Sequence, residues 1–378
     1  MQGSIKKRGK DSWAVVVSAG YDPLTGKRVR HHRTIRGRRT DAEALLVQML
    51  SQRDTGIDSP PGKLTTAQYL RRWLRDYAEP NCRPKTFARY EQYVRLHWIP
   101  ALGSVTLGKL RPLHIQEVYV RMQGNGLSAQ TVLHAHRVLR TALQQAIRWQ
   151  LLARNPADAA QPPRPVRYRP PMLSENQVQD ILNSADETPY GTLVYLALMT
   201  GMREGELLGL RWQDIDTDSI PPVLRVRQTC GWLSGKGYFF GEPKTVRSAR
   251  VVELDGGTIT RLRQHRAVQA AERLYHGSDW TNHDLVFTGT KGRPIYPGTL
   301  RANWLGIVRQ AGLDHLRFHD LRHAHASLLL ASGEHPKVVQ ERLGHSSIST
   351  TMDIYSHVAS GIQAGAAERL AARLRRTG

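Results

Sequence analysis

Residues 316–326 read L-R-F-H-D-L-R-H-A-H-A, and residues 343–357 read L-G-H-S-S-I-S-T-T-M-D-I-Y-S-H. The apolar runs Ala326 to Ala331 and Val338 to Leu343 lie between and beside them and read as buried helix faces. His319 and Arg322 stand three apart, so a helix places both side chains on one face. Tyr355 closes the series in a segment rich in Ser and Thr. A free phenol is a poor nucleophile and needs cations and a proton acceptor beside it. Imidazole, guanidinium and phenol in this grouping suit chemistry at a phosphate better than at a carbonyl. The rest of the chain must then supply a polyanion-binding surface and further cations.

Cations are abundant. The 378 residues carry 54 Lys and Arg against 32 Asp and Glu, a net charge of +22 and a pI near 10.5. Such an excess makes a polyanion the default partner, either nucleic acid or an anionic membrane surface. The basic residues recur along the whole chain, which favours extended contact with double-stranded DNA over a membrane anchor. No apolar run approaches the roughly eighteen residues of a membrane span. The basic start, M-Q-G-S-I-K-K-R-G-K, is not followed by the apolar core of a secretory signal. Two cysteines, Cys82 and Cys230, rule out a disulfide framework and a cysteine zinc site and fit a reducing cytoplasm. A cytoplasmic, nucleoid-associated protein of two or three domains is expected.

Residues 1–56 read as a small β-sheet-plus-helix module. S-W-A-V-V-V-S-A is one strand and R-V-R-H-H-R-T-I-R another, joined by turn chemistry from Asp22 to Lys27. Thr40 and Glu43 form a capping-box pattern that opens a helix. Only Asp11 and Asp22 oppose eleven Lys and Arg before Thr40. That density exceeds an ordinary solvated face, and Lys6, Lys7, Arg8, Arg28, Arg30, Arg33 and Arg36 are the candidate DNA contacts. Residues 64–158 follow as a helical bundle, opened by a Thr65–Gln68 box and closed at Asn155-Pro156, with basic polar faces that include Arg89. Residues 159–171 form a proline-rich linker whose arginines, Arg164 and Arg167 among them, suit a strap along a phosphate backbone. Residues 172–378 are the largest unit, with helices around strand-like V-L-R-V-R-Q-T, G-Y-F-F and A-R-V-V-E-L. The expected fold is mainly α with small β-sheets, an α+β chain of three domains.

Two further motifs carry chemistry. In T-G-M-R-E-G-E-L, Gly201 and Gly205 permit a tight turn from which Arg203 projects at a helix start. Its planar fork of donors matches two phosphate oxygens, and Glu206 is placed to hold the helix start or orient Arg203. In E-P-K-T-V-R-S-A-R-V-V-E-L, Lys244 sits in a turn before a strand. Such a lysine is usually idle, but nearby cations could lower its pKa enough for it to protonate a departing alkoxide. His319, His323 and His325 lack the H-E-x-x-H spacing and a placed acidic ligand, so no metal is expected. Asp320 reads as a first-turn residue that complements the helix dipole.

Taken together, Arg203, Lys244, His319, Arg322, His345 and Tyr355, in that order and with those flanking residues, resemble the tyrosine recombinases, phage-integrase branch. The resemblance covers residues 172 to about 360 and extends more weakly to 64–158; residues 1–56 are similar to an arm-binding domain in pattern and charge. It implies that Tyr355 attacks a phosphodiester to give a 3′-phosphotyrosyl link. It further implies that Arg203, Arg322 and His345 stabilise the phosphate, that Lys244 is the general acid and that His319 accepts a proton. Two arginines and a histidine can neutralise a pentacoordinate phosphorane unaided, so no cofactor is expected. The implied partners are attachment-site DNA, a homo-tetramer on that DNA, and host DNA-bending and excision factors. Glu368 to Gly378 continue an amphipathic helix, with Leu370 and Leu374 in its stripe, that either caps its own domain or docks on a neighbouring protomer. Two rival readings are a Xer-type chromosome-dimer resolvase and a non-catalytic DNA-binding regulator. Residues 1–60 weigh against the first, and the complete set of six residues against the second.

Overall fold

The computed structural model describes residues 3–21, 28–54, 64–166, 168, 170–243, 249–358 and 374–375. The chain divides into two compact units, Met1–Arg167 and Tyr168–Gly378, and the division falls inside the proline- and arginine-rich stretch. The fold is mainly helical with small antiparallel sheets, an α+β architecture.

The first unit opens with a sheet of three strands rather than two: β1 (Gly3–Gly9), β2 (Ser12–Tyr21) and β3 (Arg28–Arg36), in that order. β1 escapes the sequence reading because Ile5 is its one large apolar residue, and lysines hide its period. Register sets Ile5 opposite Val15 and Trp13 opposite Ile35, so these residues share one face with Val17. That face closes on α1 (Arg39–Asp54) through Ala42 and Met49. The helix begins one residue before Thr40, and its cap differs from the expected box: Asp41 reaches back to accept from the Arg38 N–H at 2.8 Å.

The helical part of this unit comprises α2 (Thr66–Trp73), α3 (Pro84–Tyr93), α4 (Pro112–Gly124) and α5 (Ala129–Arg148). π-helical stretches, Leu74–Ala78 and Val94–Trp98, prolong α2 and α3. The Thr65–Gln68 capping box is present, each residue bonding the other's N–H. Tyr69, Trp73 and Trp98 are fully buried. Burial of such side chains contributes about 1.5–3 kcal/mol each. The Tyr69 hydroxyl donates to Ala142 O at 2.5 Å and Trp98 Nε1 to Ala135 O at 3.1 Å, which pins both flanking helices to α5. α5 stops at Arg148 because Gln150 takes a left-handed conformation, φ 56°. Asn155 then holds the return, donating to Arg140 O and accepting from Ala157 N–H.

The second unit starts with α6 (Glu175–Asp186), capped by a box of Ser174 and Gln177. α7 (Gly191–Thr200) is apolar around its whole circumference, and Leu193, Val194, Leu196, Ala197 and Leu198 lie in the core. It ends in a left-handed Gly201 and delivers the chain to α8 (Glu204–Leu208). β4 (Ile215–Asp216), β5 (Val223–Val226) and β8 (Arg250–Glu253) make one sheet, while β6 (Thr229–Leu233) and β7 (Gly237–Gly241) make a hairpin. The remaining helices are α9 (Gly256–His276), α10 (Pro297–Gln310), α11 (Asp320–Ala331), α12 (Pro336–Leu343) and α13 (Ile348–Val358). A satellite core of Ala326, Leu330, Val339 and Leu343 locks α11 to α12.

Candidate active site

The site is built where α7, α8, β8, α11 and α12 meet. Gly201 is the pivot. Its φ of +61° suits glycine, and a Cβ there would overlap Leu343 and His325. Gly205, by contrast, is helical, and its bareness admits the Cys230 carbonyl of β6, 3.1 Å from where a Cβ would stand. The expected tight turn therefore rests on Gly201 alone.

Arg203 is the residue before α8, and Glu206 holds it twice. One carboxylate oxygen accepts from the Arg203 N–H at 3.0 Å and the other from its Nη1 at 2.7 Å. Both roles foreseen for Glu206 are thus filled. Glu206 is 2% exposed and is also bonded by Arg250 Nη2 at 3.0 Å. Burial pushes its carboxyl pKa up, but Arg250 and Arg203 outweigh that and hold it below the usual range.

Arg322, in α11, is 4% exposed and donates to Gly201 O and Leu343 O, both at 2.6 Å. No carboxylate is bonded to it among the described residues. Burial, then Arg203 and Arg250, push its guanidinium down to about 9, with Glu206 pulling the other way. It remains cationic at neutral pH. The cluster holds three guanidiniums, Arg203, Arg250 and Arg322, against one carboxylate, Glu206, so it is two charges positive and invites an anion.

His345 follows the left-handed Gly344 that caps α12. Its Nδ1 pairs with the buried Thr351 hydroxyl at 2.9 Å, and its carbonyl accepts from Gln340. If the hydroxyl donates, the ring proton sits on Nε2. Desolvation, then Arg322 and Arg203, push the imidazole pKa down to about 3, so the ring is neutral at pH 7. A groove of about 630 Å³ between β8 and α12 opens beside it.

His319 is the cap residue of α11 and not its first helical residue. It reaches the surface and lies edge-on to His323 at 5.5 Å; partial desolvation of the ring, then His323 and Arg322, hold it below its ordinary pKa. Asp320 is buried and serves as more than a dipole partner. It accepts from Arg317 and from the Tyr168 hydroxyl at 2.6 Å, which ties the end of the linker to α11. His325 is buried against Gly201.

Arg203, Arg322, His345 and His319 therefore come together. Lys244 lies outside the described residues, in the connection between β7 and β8. Tyr355 falls on α13, which the chain reaches a few residues after His345; its side chain lies outside the described residues, as do residues 359–373 with Glu368 and Leu370, while Leu374 is helical. Sequence reasoning missed Arg250 and Thr351. Arg250 stands within the Lys244 motif, but nothing in A-R-V-V-E-L marks its side chain as buried.

Of the expected DNA contacts, Lys6, Lys7, Arg8, Arg30, Arg33, Arg36, Arg89 and Arg164 are exposed. Arg167 and the Arg28 side chain lie outside the described residues. Register puts Lys6, Arg30, His32 and Arg36 on the sheet face turned away from α1, and Arg33 on the face toward it. Among the described residues, no helix is long and apolar enough to cross a membrane, and no cluster of His, Cys, Asp and Glu could hold a metal ion.

Guanidiniums in excess of carboxylate, rigidly bonded around a neutral imidazole and followed by a tyrosine-bearing helix, define an enzyme of phosphodiester chemistry. Residues 171–361 match the phage integrase family, and residues 65–123 match the phage integrase N-terminal SAM-like domain. A tyrosine recombinase described as XerC-like, from Caldanaerobacter subterraneus subsp. tengcongensis, is 30% identical over 96% of this chain and 97% of its own length. The Tn1549 transposon integrase in complex with transposon right end DNA superposes with a TM-score of 0.68 at 22% identity, covering 82% of this chain and 100% of that one. A lambda integrase tetramer bound to a Holliday junction gives 0.60 at 19% identity, covering 93% and 94%. The chain belongs to the phage integrase family of tyrosine recombinases and is a site-specific DNA recombinase.

Proposed function

We propose that Tyr355 is the nucleophile and that Arg203, Arg322 and His345 hold the scissile phosphate of double-stranded DNA. The phenol oxygen of Tyr355 attacks phosphorus and the bond to the 5′-oxygen breaks, leaving a 3′-phosphotyrosyl link and a free 5′-hydroxyl. His319 accepts the phenol proton; Lys244 gives a proton to the departing 5′-oxygen. The incoming 5′-hydroxyl of the partner strand reverses these steps and rejoins the DNA, so the phosphodiester bond energy is conserved and ATP is not required.

The observation that carries this reading is the twofold positive cluster of three guanidiniums and one carboxylate around His345. A phosphate placed there offsets the burial and the mutual repulsion that together depress Arg322, and it meets donors that are already oriented. His345 is neutral and acts as an Nε2–H donor. The basic sheet face of Lys6, Arg30 and Arg36 contacts accessory arm sites, while Arg89 and the linker's Arg164 and Arg167 contact the core site. By analogy with the lambda integrase tetramer, four copies assemble on two DNA sites. A DNA-bending host factor and an excision factor are the expected accessories.

The XerC-like relative aligns over nearly its whole length, so its resemblance includes a counterpart of the N-terminal module and does not shift the reading from integrase to resolvase. The test is Tyr355→Phe on a nicked core-site duplex that traps the covalent intermediate. The variant binds the duplex as tightly as the parent and forms no adduct resistant to denaturation. An adduct retained by the variant overturns the assignment of the nucleophile.

A further inference from the structure

The last carbonyls of a helix have no partners within it and carry the negative end of its dipole. At the end of α12 three successive carbonyls are taken by three arginines from three different elements. Arg250 Nε, from β8, donates to Arg342 O at 2.7 Å. Arg322 Nη2, from α11, donates to Leu343 O at 2.6 Å, and Arg203 Nη2, from the turn before α8, reaches Gly344 O at 3.4 Å. The next residue is His345. One helix end thus fixes three guanidiniums and the imidazole relative to one another.

The three arginines are not equivalent. Arg322 has no carboxylate bonded to it among the described residues, and Arg203 is 37% exposed at its side chain. The Arg250 side chain is 5% exposed, and its charge is matched at 3.0 Å by Glu206, the same carboxylate that grips Arg203 at both its N–H and its guanidinium. Arg250 is therefore joined on one side, through Glu206, to Arg203, and on the other, through the α12 terminus, to His345.

We propose that Arg250 is a positioning residue for strand cleavage. It does not touch the phosphate; it sets Arg203 and His345 through Glu206 and the Arg342 carbonyl. This rests on the reading of the site given above. Lysine cannot reproduce the role in full, because one ammonium cannot offer two rigidly spaced N–H groups to acceptors on different elements.

The test is a double-mutant cycle on single-turnover adduct formation at saturating core-site DNA, with full-length protein. Arg250→Gln slows cleavage by roughly 100-fold, the size expected for displaced catalytic groups, and leaves the Kd for DNA within about twofold. Arg250→Lys loses about 10-fold, an intermediate effect, because the ion pair survives. In an Arg203→Ala background Arg250→Gln costs only about 10-fold, because the part of its effect that runs through Arg203 is already lost and the part through His345 remains. Wild-type cleavage by Arg250→Gln overturns the proposal. So does the same 100-fold loss in the Arg203→Ala background, which would mean that Arg250 does not act through Arg203. If Arg250→Gln does not fold, Arg250→Lys decides by the same cycle. Absence of adduct with the parent protein would instead count against the site as a whole.

Discussion

The N-terminal sheet and the cluster around Arg322 are both rich in arginine, and they use it in opposite ways. On the sheet, Lys6, Arg30, Arg33 and Arg36 are exposed, and the small core beneath them is built on Val15, Val17, Ala42 and Met49. Around Arg322 the guanidiniums are bonded to backbone carbonyls or a buried carboxylate, and glycine is required where their elements cross. Exposed cations release counterions from DNA, and each is worth a similar, salt-dependent increment. Buried cations were desolvated during folding, so they meet a developing charge without reorganising. The first set should tune affinity and the second should set rate.

The largest effect expected from breaking that contrast is at Arg322. Arg322→Ala lowers the rate of adduct formation by roughly 10²–10³, with DNA affinity little changed. Single-turnover cleavage against mobility shift measures the two separately. Gly201→Ala comes next. It forces an alanine to φ +61° and into Leu343 and His325, and costs about 1–3 kcal/mol, read from chemical denaturation of the catalytic unit. A stability equal to the parent's would show that the crossing is looser than described.

Converting Arg30 and Arg36 together to Gln lowers the slope of log K against log salt for arm-site DNA by roughly 2, one phosphate per residue. Arg33→Gln lowers it less, because register turns Arg33 toward α1. Neither change alters single-turnover cleavage of an isolated core site.

The smallest effect is in pH dependence. Burial, then Arg342, push His325 down to about 3, while an unfolded histidine titrates near 6.5. The unfolded state therefore binds the proton first. The contribution of His325 to stability is complete above about pH 6.5 and is lost progressively as pH falls toward 3, by roughly 1 kcal/mol per pH unit. His325→Asn should flatten the fall in unfolding free energy between pH 6.5 and 5, and an unchanged slope would place the imidazole in a more polar environment.

Much of this contrast was legible in sequence because chemistry at a phosphate demands particular side chains in a particular order. Arg203, Arg322 and His345 could be singled out from their flanking glycines and apolar runs, and they do converge. What could not be read were features set by pairing across the fold. β1 has one large apolar residue among lysines and becomes a strand only because Trp13 and Val15 lie opposite. Arg250 resembles any arginine in a β-rich run until its strand is laid beside Glu206 and the end of α12. Thr351, as the partner of His345, depends on the turn between α12 and α13, which the serine-rich spacing does not specify. Gly205 reads as a turn residue in the sequence, whereas in the fold its bareness serves the neighbouring Cys230 carbonyl.

The central question is whether Arg322 acts at the reacting phosphate or is one more binding charge. The deciding measurement is single-turnover cleavage by Arg322→Ala at saturating core-site DNA, repeated at low and at high salt. A deficit of about 10²–10³ that stays constant across the salt range is expected of a preorganised, water-shielded donor. A deficit that disappears at low salt, where exposed charges bind strongly enough without it, would contradict the assignment.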